Sequence, residues 1–191
     1  MRGFSMRPVT AFTSALLLGY VGARTFARTG SGDQPLSTIA SIEVDRYLGT
    51  WYEIARFPNR FERQCASDTS ATYSLRGDGR IRVLNRCRKE DGGDIVAEGV
   101  AHQVGDAASP RLKVRFAPAI LSFLPMVWGD YWVIDLDANY QLSAVSEPSR
   151  EYLWILSRTR QVDPAAYRAL LARLAAQGLD TSKLMLTPQE R

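Results

Sequence analysis

Gly49-Thr50-Trp51-Tyr52-Glu53-Ile54-Ala55-Arg56 opens the first clear strand pattern in this chain. A glycine precedes a large aromatic, and apolar and polar positions then interleave. The glycine lets the backbone turn tightly as it enters a sheet. At period two, Tyr52 and Ile54 share one face, and Trp51, Glu53 and Ala55 share the other. An indole and a carboxylate on one face suit a strand that lines an enclosed, partly polar space.

Downstream the pattern repeats. Thr69 to Leu75 is strand-like, and Arg76-Gly77-Asp78-Gly79 is a hairpin turn, since Asp-Gly tolerates positive φ. Arg80 to Arg88 follows, with Arg80, Arg82, Arg86 and Arg88 on one face and Ile81, Val83, Asn85 and Cys87 on the other. That is a half-buried antiparallel strand with a basic exterior. The basic face has no aromatic partners, so it does not read as a nucleic-acid stripe. After the turn at Asp91-Gly92-Gly93-Asp94 come Ile95 to Val104, Leu112 to Phe116, Tyr131 to Leu136, Tyr140 to Val145 and Tyr152 to Arg158. About eight short strands with little but turns between them predict a sandwich or an up-and-down barrel.

One helix stands out. Asp163 is an N-cap, Pro164 takes the first helical position and Gly178 is a C-terminal stop. Tyr167, Leu170, Leu171 and Leu174 form a single apolar stripe, so the helix is expected to pack outside the sheet. A last short strand is expected at Leu184-Met185-Leu186.

The 191 residues are enough for one domain, and 46% of them are hydrophobic, which supports a real core. Residues 1–27 read as a signal peptide, with Arg2 and Arg7 ahead of the apolar run Val9 to Ala23; an uncleaved N-terminal anchor is the alternative. Three of the 24 basic residues lie in that segment, so a net charge of +4 says little about nucleic acid. Residues 28–41 read as a linker and residues 42–188 as the folded domain. Export implies an oxidising compartment, where Cys65 and Cys87 are expected to pair. The alternative is a free nucleophile served by His102, the single histidine. Ala117 to Val127 breaks the strand rhythm: it is apolar and holds Pro118 and Pro125. It is expected either to fold over its own barrel or to meet a membrane surface or a second subunit.

Gly49-Thr50-Trp51 at the start of this pattern resembles the first motif of the lipocalin family. The second motif usually reads Thr-Asp-Tyr; here it is Leu136-Asp137-Ala138, so Asp137 alone matches. Arg158 fits the third, an arginine ending the eighth strand. The stretches Ser70 to Leu75, Gly129 to Val133 and Tyr152 to Arg158 look closest to bacterial outer-membrane lipocalins and apolipoprotein D. No lipid-anchoring cysteine follows the apolar leader, which departs from the lipoprotein members. The resemblance implies an all-β fold, an eight-stranded up-and-down antiparallel barrel with one C-terminal helix outside. It makes Gly49, Trp51, Asp137 and Arg158 structural, with the tryptophan plugging one end beneath the arginine. It implies a pocket lined by Trp154 and Tyr131. Thr72, Asp135 and Glu53 are further expected ligand contacts, from their strand faces. The expected function is non-catalytic binding of a small lipophilic ligand, a fatty acid or lysophospholipid, for storage or transport in the cell envelope. No cofactor or metal is implied. The expected location is the periplasm, in association with the outer membrane, and a homodimer is consistent with the family. Two other readings stand beside it: an isomerase that uses a cavity cysteine, and an envelope interaction module that uses the apolar 117–127 stretch.

Overall fold

The computed structural model describes residues 34–122 and 124–190. The leader expected over residues 1–27 lies outside them. Eight strands run β1 (Gly49–Arg56), β2 (Ser67–Leu75), β3 (Ile81–Arg88), β4 (Asp94–Gln103), β5 (Arg111–Arg115), β6 (Gly129–Leu136), β7 (Leu142–Ser146) and β8 (Leu153–Ser157). Each pairs with the next in antiparallel register, and β1 pairs with both β2 and β8, which closes the sheet into a barrel. The sandwich alternative is thereby removed. A short helix α1 (Val44–Tyr47) precedes β1, and α2 (Pro164–Ala176) follows β8.

One end of the barrel is shut by Trp51, which has no exposed surface. Its indole Nε1 donates to the Tyr47 carbonyl at 2.8 Å. The Arg158 guanidinium lies 4.0 Å from the indole centroid and donates to the carbonyls of Arg46, Thr50 and Tyr140. Gly49 is needed here for two reasons. Its φ is +91°, and a Cβ would sit 3.3 Å from the Arg158 guanidinium. Asp137 closes the neighbouring β6–β7 turn, where its carboxylate accepts from the backbone N–H of Asn139, Gln141 and Leu142. Tyr140, expected to begin a strand, instead sits in this turn at φ 58°.

The barrel wall separates two apolar clusters. The inner one holds Trp51, Tyr73, Ile81, Val83, Leu112, Val133, Val145 and Leu156. The outer one holds Ala55, Ile134, Leu142, Ala144, Leu153 and Ile155 beneath Leu170 and Leu174 of α2. Asp163 caps that helix by accepting from the Ala166 N–H at 2.8 Å. Burying leucines such as 170 and 174, which have no exposed surface, stabilises the docked helix by about 1.5–3 kcal/mol each. The stretch read as a linker, 28–41, is packed where it is described. Leu36 is buried in the outer cluster, and the Ile39 N–H donates to the Val133 carbonyl.

Bulges in β1 and β6 change which face a residue takes. Register shifts between Glu53 and Ala55 and between Val133 and Asp135. An extra residue in one strand breaks the period of two. Ala55 therefore lies under α2 rather than beside Trp51 and Glu53, as alternation alone predicts.

Beyond Tyr52, β1 parts from β2, and the C-terminal segment fills the gap. The short strand β9 (Met185–Leu186) pairs with Ala55 and Arg56. The Thr187 N–H donates to the Ile54 carbonyl, and the Asp68 N–H to the Pro188 carbonyl. On the same side a Cys65–Cys87 disulfide, with Cα atoms 5.5 Å apart, fastens the β1–β2 loop to β3. Both cysteines are consumed, which corrects the free-nucleophile alternative. The bridge spans 22 residues, so replacing both cysteines with serine is expected to lower stability by about 3 kcal/mol in the chain-entropy account. Urea unfolding measures it, and an unchanged midpoint would contradict the bridge's stabilising role.

Candidate functional site

Above the tryptophan plug the barrel encloses a cavity of about 850 Å³. Its floor is a cluster of three tyrosines. The Tyr131 hydroxyl lies 3.1 Å from that of Tyr47 and 2.9 Å from that of Tyr73, and Tyr47 also reaches the Ser143 hydroxyl at 3.2 Å. Burial raises the pKa of all three phenols, so they remain neutral hydrogen-bonding groups. The walls are apolar: Ile81 and Val83 of β3, Ala101 of β4, Leu112 and Val114 of β5, and Leu156 of β8.

Towards the open end the wall turns polar around β1. Glu53 is 2% exposed, and its carboxylate accepts from Arg56 Nη1 at 2.6 Å and from the Thr187 hydroxyl. Arg56 Nη1 also donates to Thr187 Oγ1, and Nη2 to the Cys65 carbonyl. Arg56 Nε lies 3.5 Å from Glu62 of the β1–β2 loop. Glu62 accepts in turn from the Trp154 indole Nε1 at 3.1 Å. Burial, with the like charge of Glu62 added, pushes the Glu53 carboxyl up to about 8. The attraction of Arg56 opposes this, but one guanidinium is shared between two carboxylates.

The mouth is rimmed by apolar groups. Tyr152 stacks on Trp154 at 5.8 Å between centroids, and Phe61 packs on Tyr152. The 117–127 stretch forms two single turns of 3₁₀ helix, Ala119–Leu121 and Pro125–Val127. Met126, Val127 and Trp128 line the cavity entrance, while Ile120 and Met126 are 80% and 85% exposed. The stretch thus reaches over the mouth and still leaves apolar side chains in solvent. His102 packs edge-on against Trp128 at 4.7 Å.

Of the five expected contact residues, Trp154, Tyr131 and Glu53 line the cavity. Thr72 and Asp135 do not. Thr72 bonds across the outer surface to the Thr50 hydroxyl at 2.9 Å, because Thr69, Ala71 and Tyr73 take the inward positions of β2. The β6 bulge turns Asp135 outward, where Arg173 of α2 grips it through two hydrogen bonds of 2.7 and 2.9 Å. Sequence reasoning missed Arg56, Glu62, Tyr47 and Tyr73. A period-two reading that accepts a tyrosine on the inner face of β2 would have found Tyr73. Glu62 lies in a loop and carries no periodic signal.

A family model described as a lipocalin-like domain matches residues 42–189. The chain belongs to the lipocalin family. This lipocalin is 42% identical over 156 residues to temperature-induced lipocalin-1 of Arabidopsis thaliana, covering 81% of this chain and 83% of the relative. It is 41% identical over 155 residues to the outer membrane lipoprotein Blc of Escherichia coli K12, with the same coverage of 81% and 83%. Apolipoprotein D of Macaca fascicularis is 32% identical over 157 residues, 78% of each chain. Among solved structures, insecticyanin from the tobacco hornworm Manduca sexta superposes with a TM-score of 0.64 over 82% of this chain and 85% of its own, at 19% identity. That likeness speaks for the fold alone.

The raised Glu53 carboxyl gives this lipocalin a pH signature. Its folded value, about 8, lies above the ordinary 4.5, so between these values the folded state binds more protons than the unfolded state. The stability from the neutral form is complete below the unfolded value and is lost as pH rises towards 8. Glu53→Gln cannot ionise. Its melting temperature relative to the parent is expected to climb from pH 5 to pH 8. Parallel profiles from thermal denaturation would refute the shift.

Proposed function

We propose that this lipocalin is a non-catalytic carrier of an acyl lipid, a fatty acid or a lysophospholipid, in the cell envelope. The enclosed, largely apolar cavity of about 850 Å³ above the tryptophan plug carries this reading. Such a volume falls within the roughly 300–1,000 Å³ typical of small-molecule sites. The driving force is transfer of the acyl chain out of water, about 0.8 kcal/mol per buried methylene. Part of this is offset by the ordering of chain and protein on binding.

Two observations favour carriage over catalysis. The isomerase reading needs a cavity thiol, and Cys65 and Cys87 are joined in a disulfide. His102 packs against Trp128 rather than against a nucleophile. Placement in the envelope is supported by the Blc relative, whose name describes an outer membrane lipoprotein. Phe61, Ile120 and Met126, all well exposed near the mouth, suit contact with the lipid surface from which cargo enters.

Solvent extraction of the purified protein is expected to release acyl lipid, and the emptied protein to bind a fluorescent fatty acid saturably. Trp154→Leu removes aromatic area from the wall and is expected to weaken binding roughly tenfold. Circular dichroism checks that the barrel survives the change. Failure of every amphiphile to bind would overturn the proposal.

A further inference from the structure

Three side chains on neighbouring strands interrupt the greasy wall: Glu53 of β1, Thr69 of β2 and Asn85 of β3, all lining the cavity. The Gln189 carboxamide donates to the carbonyls of both Glu53 and Thr69, at 2.8 and 2.9 Å. Glu53 and Thr69 therefore stand level across the gap between β1 and β2. Asn85 is the register partner of Ala71, which lies two residues from Thr69 on the same inward face.

Thr69 is only 6% exposed. Its hydroxyl and the Asn85 carboxamide oxygen are buried with no hydrogen-bond partner among the described residues. Native interiors seldom leave such groups unpaired, because each forfeits its hydration for nothing in return. Both residues line the cavity, which makes a polar group of the ligand the partner these atoms lack. The neighbouring charges decide its type. Arg56 is already engaged by Glu53, Thr187 and the Cys65 carbonyl, with Glu62 on its remaining flank. Glu62 already balances this guanidinium, and the other arginines lining the cavity, Arg60 and Arg86, are exposed to solvent, so an anion held at this wall would have no buried cation of its own. A hydroxyl carries no such cost, and it can donate to the Asn85 oxygen while accepting from Thr69.

We propose that Thr69 and Asn85, beside Glu53, form an internal polar station that holds an uncharged hydroxyl of the bound lipid and disfavours a free carboxylate. The ligand class is an acyl chain bearing a glycerol or alcohol group. This rests on the carrier reading and selects within it.

The test uses delipidated full-length protein loaded with dansyl-undecanoic acid, displaced by 1-monooleoylglycerol or by oleic acid, which share one acyl chain. The glycerol lipid is expected to bind more tightly. Thr69→Val, nearly isosteric, is expected to weaken it roughly five- to tenfold, the range for one lost buried hydrogen bond. It should leave oleic acid unchanged, and Thr69→Ser should retain the preference. Asn85→Val gives a second reading should Thr69→Val fold poorly. Equal affinities in the parent, or a loss shared by both ligands, would overturn the station and leave carriage standing. No binding of the probe or displacement by either lipid would overturn both.

Discussion

The barrel depends on one stacked pair. The Arg158 guanidinium lies over the Trp51 indole and joins three backbone carbonyls from three separate segments. A cation–π contact of this kind contributes roughly 0.5–2 kcal/mol, more as it loses water. Its structural weight comes from what it connects. Arg46 lies in α1, Thr50 in β1 and Tyr140 in the β6–β7 turn, so one side chain ties three chain segments across the narrow end. With that end sealed by side chains, the rest of the interior need not be filled. A hollow is stable because the strands are bonded all the way round and leave no open edge.

This constraint was also the most legible in the sequence. Gly49, Trp51 and Arg158 stand out by their resemblance to the lipocalin motifs, and their positions need no knowledge of register. The strands and α2 were legible for a similar reason: turn residues, alternation and an N-cap are local signals. Site residues depend on finer information. Asp135 was expected inside because it follows Tyr131 and Val133 at period two, but the bulge at Ile134 reverses the face. Nothing local to Val133-Ile134-Asp135 announces the bulge. It becomes necessary only once α2 covers this part of the wall and Arg173 is available to pair with Asp135. Thr72 failed differently. The β2 segment alternates weakly between polar and apolar residues, so either face could have been the inner one. The contact with Thr50 on β1 settles it.

The group around Arg56 was illegible for a third reason: it is assembled from distant parts of the chain. Glu53 and Arg56 come from β1, Glu62 from the following loop, Thr187 from the tail and Trp154 from β8. No short window of sequence contains it. Even Arg56 reaches Glu53 only because the β1 bulge brings positions three apart onto the same face.

Buried ion pairs are poor sources of net stability, since desolvation consumes most of the Coulomb gain. The position of this one gives a better account of it. The β1–β2 loop borders the cavity mouth and is tied to the sheet by backbone hydrogen bonds only at its ends, Phe57 to Leu153 and Ala66 to Arg88. Glu62 holds it from within through Arg56 and Trp154, and the Cys65–Cys87 bridge holds it to β3. The C-terminal segment completes the fastening where β1 and β2 part. These ties cross the part of the barrel where the strand ladder is interrupted. They keep the mouth in shape without packing its interior, which lets an apolar chamber stay open to a long, flexible ligand.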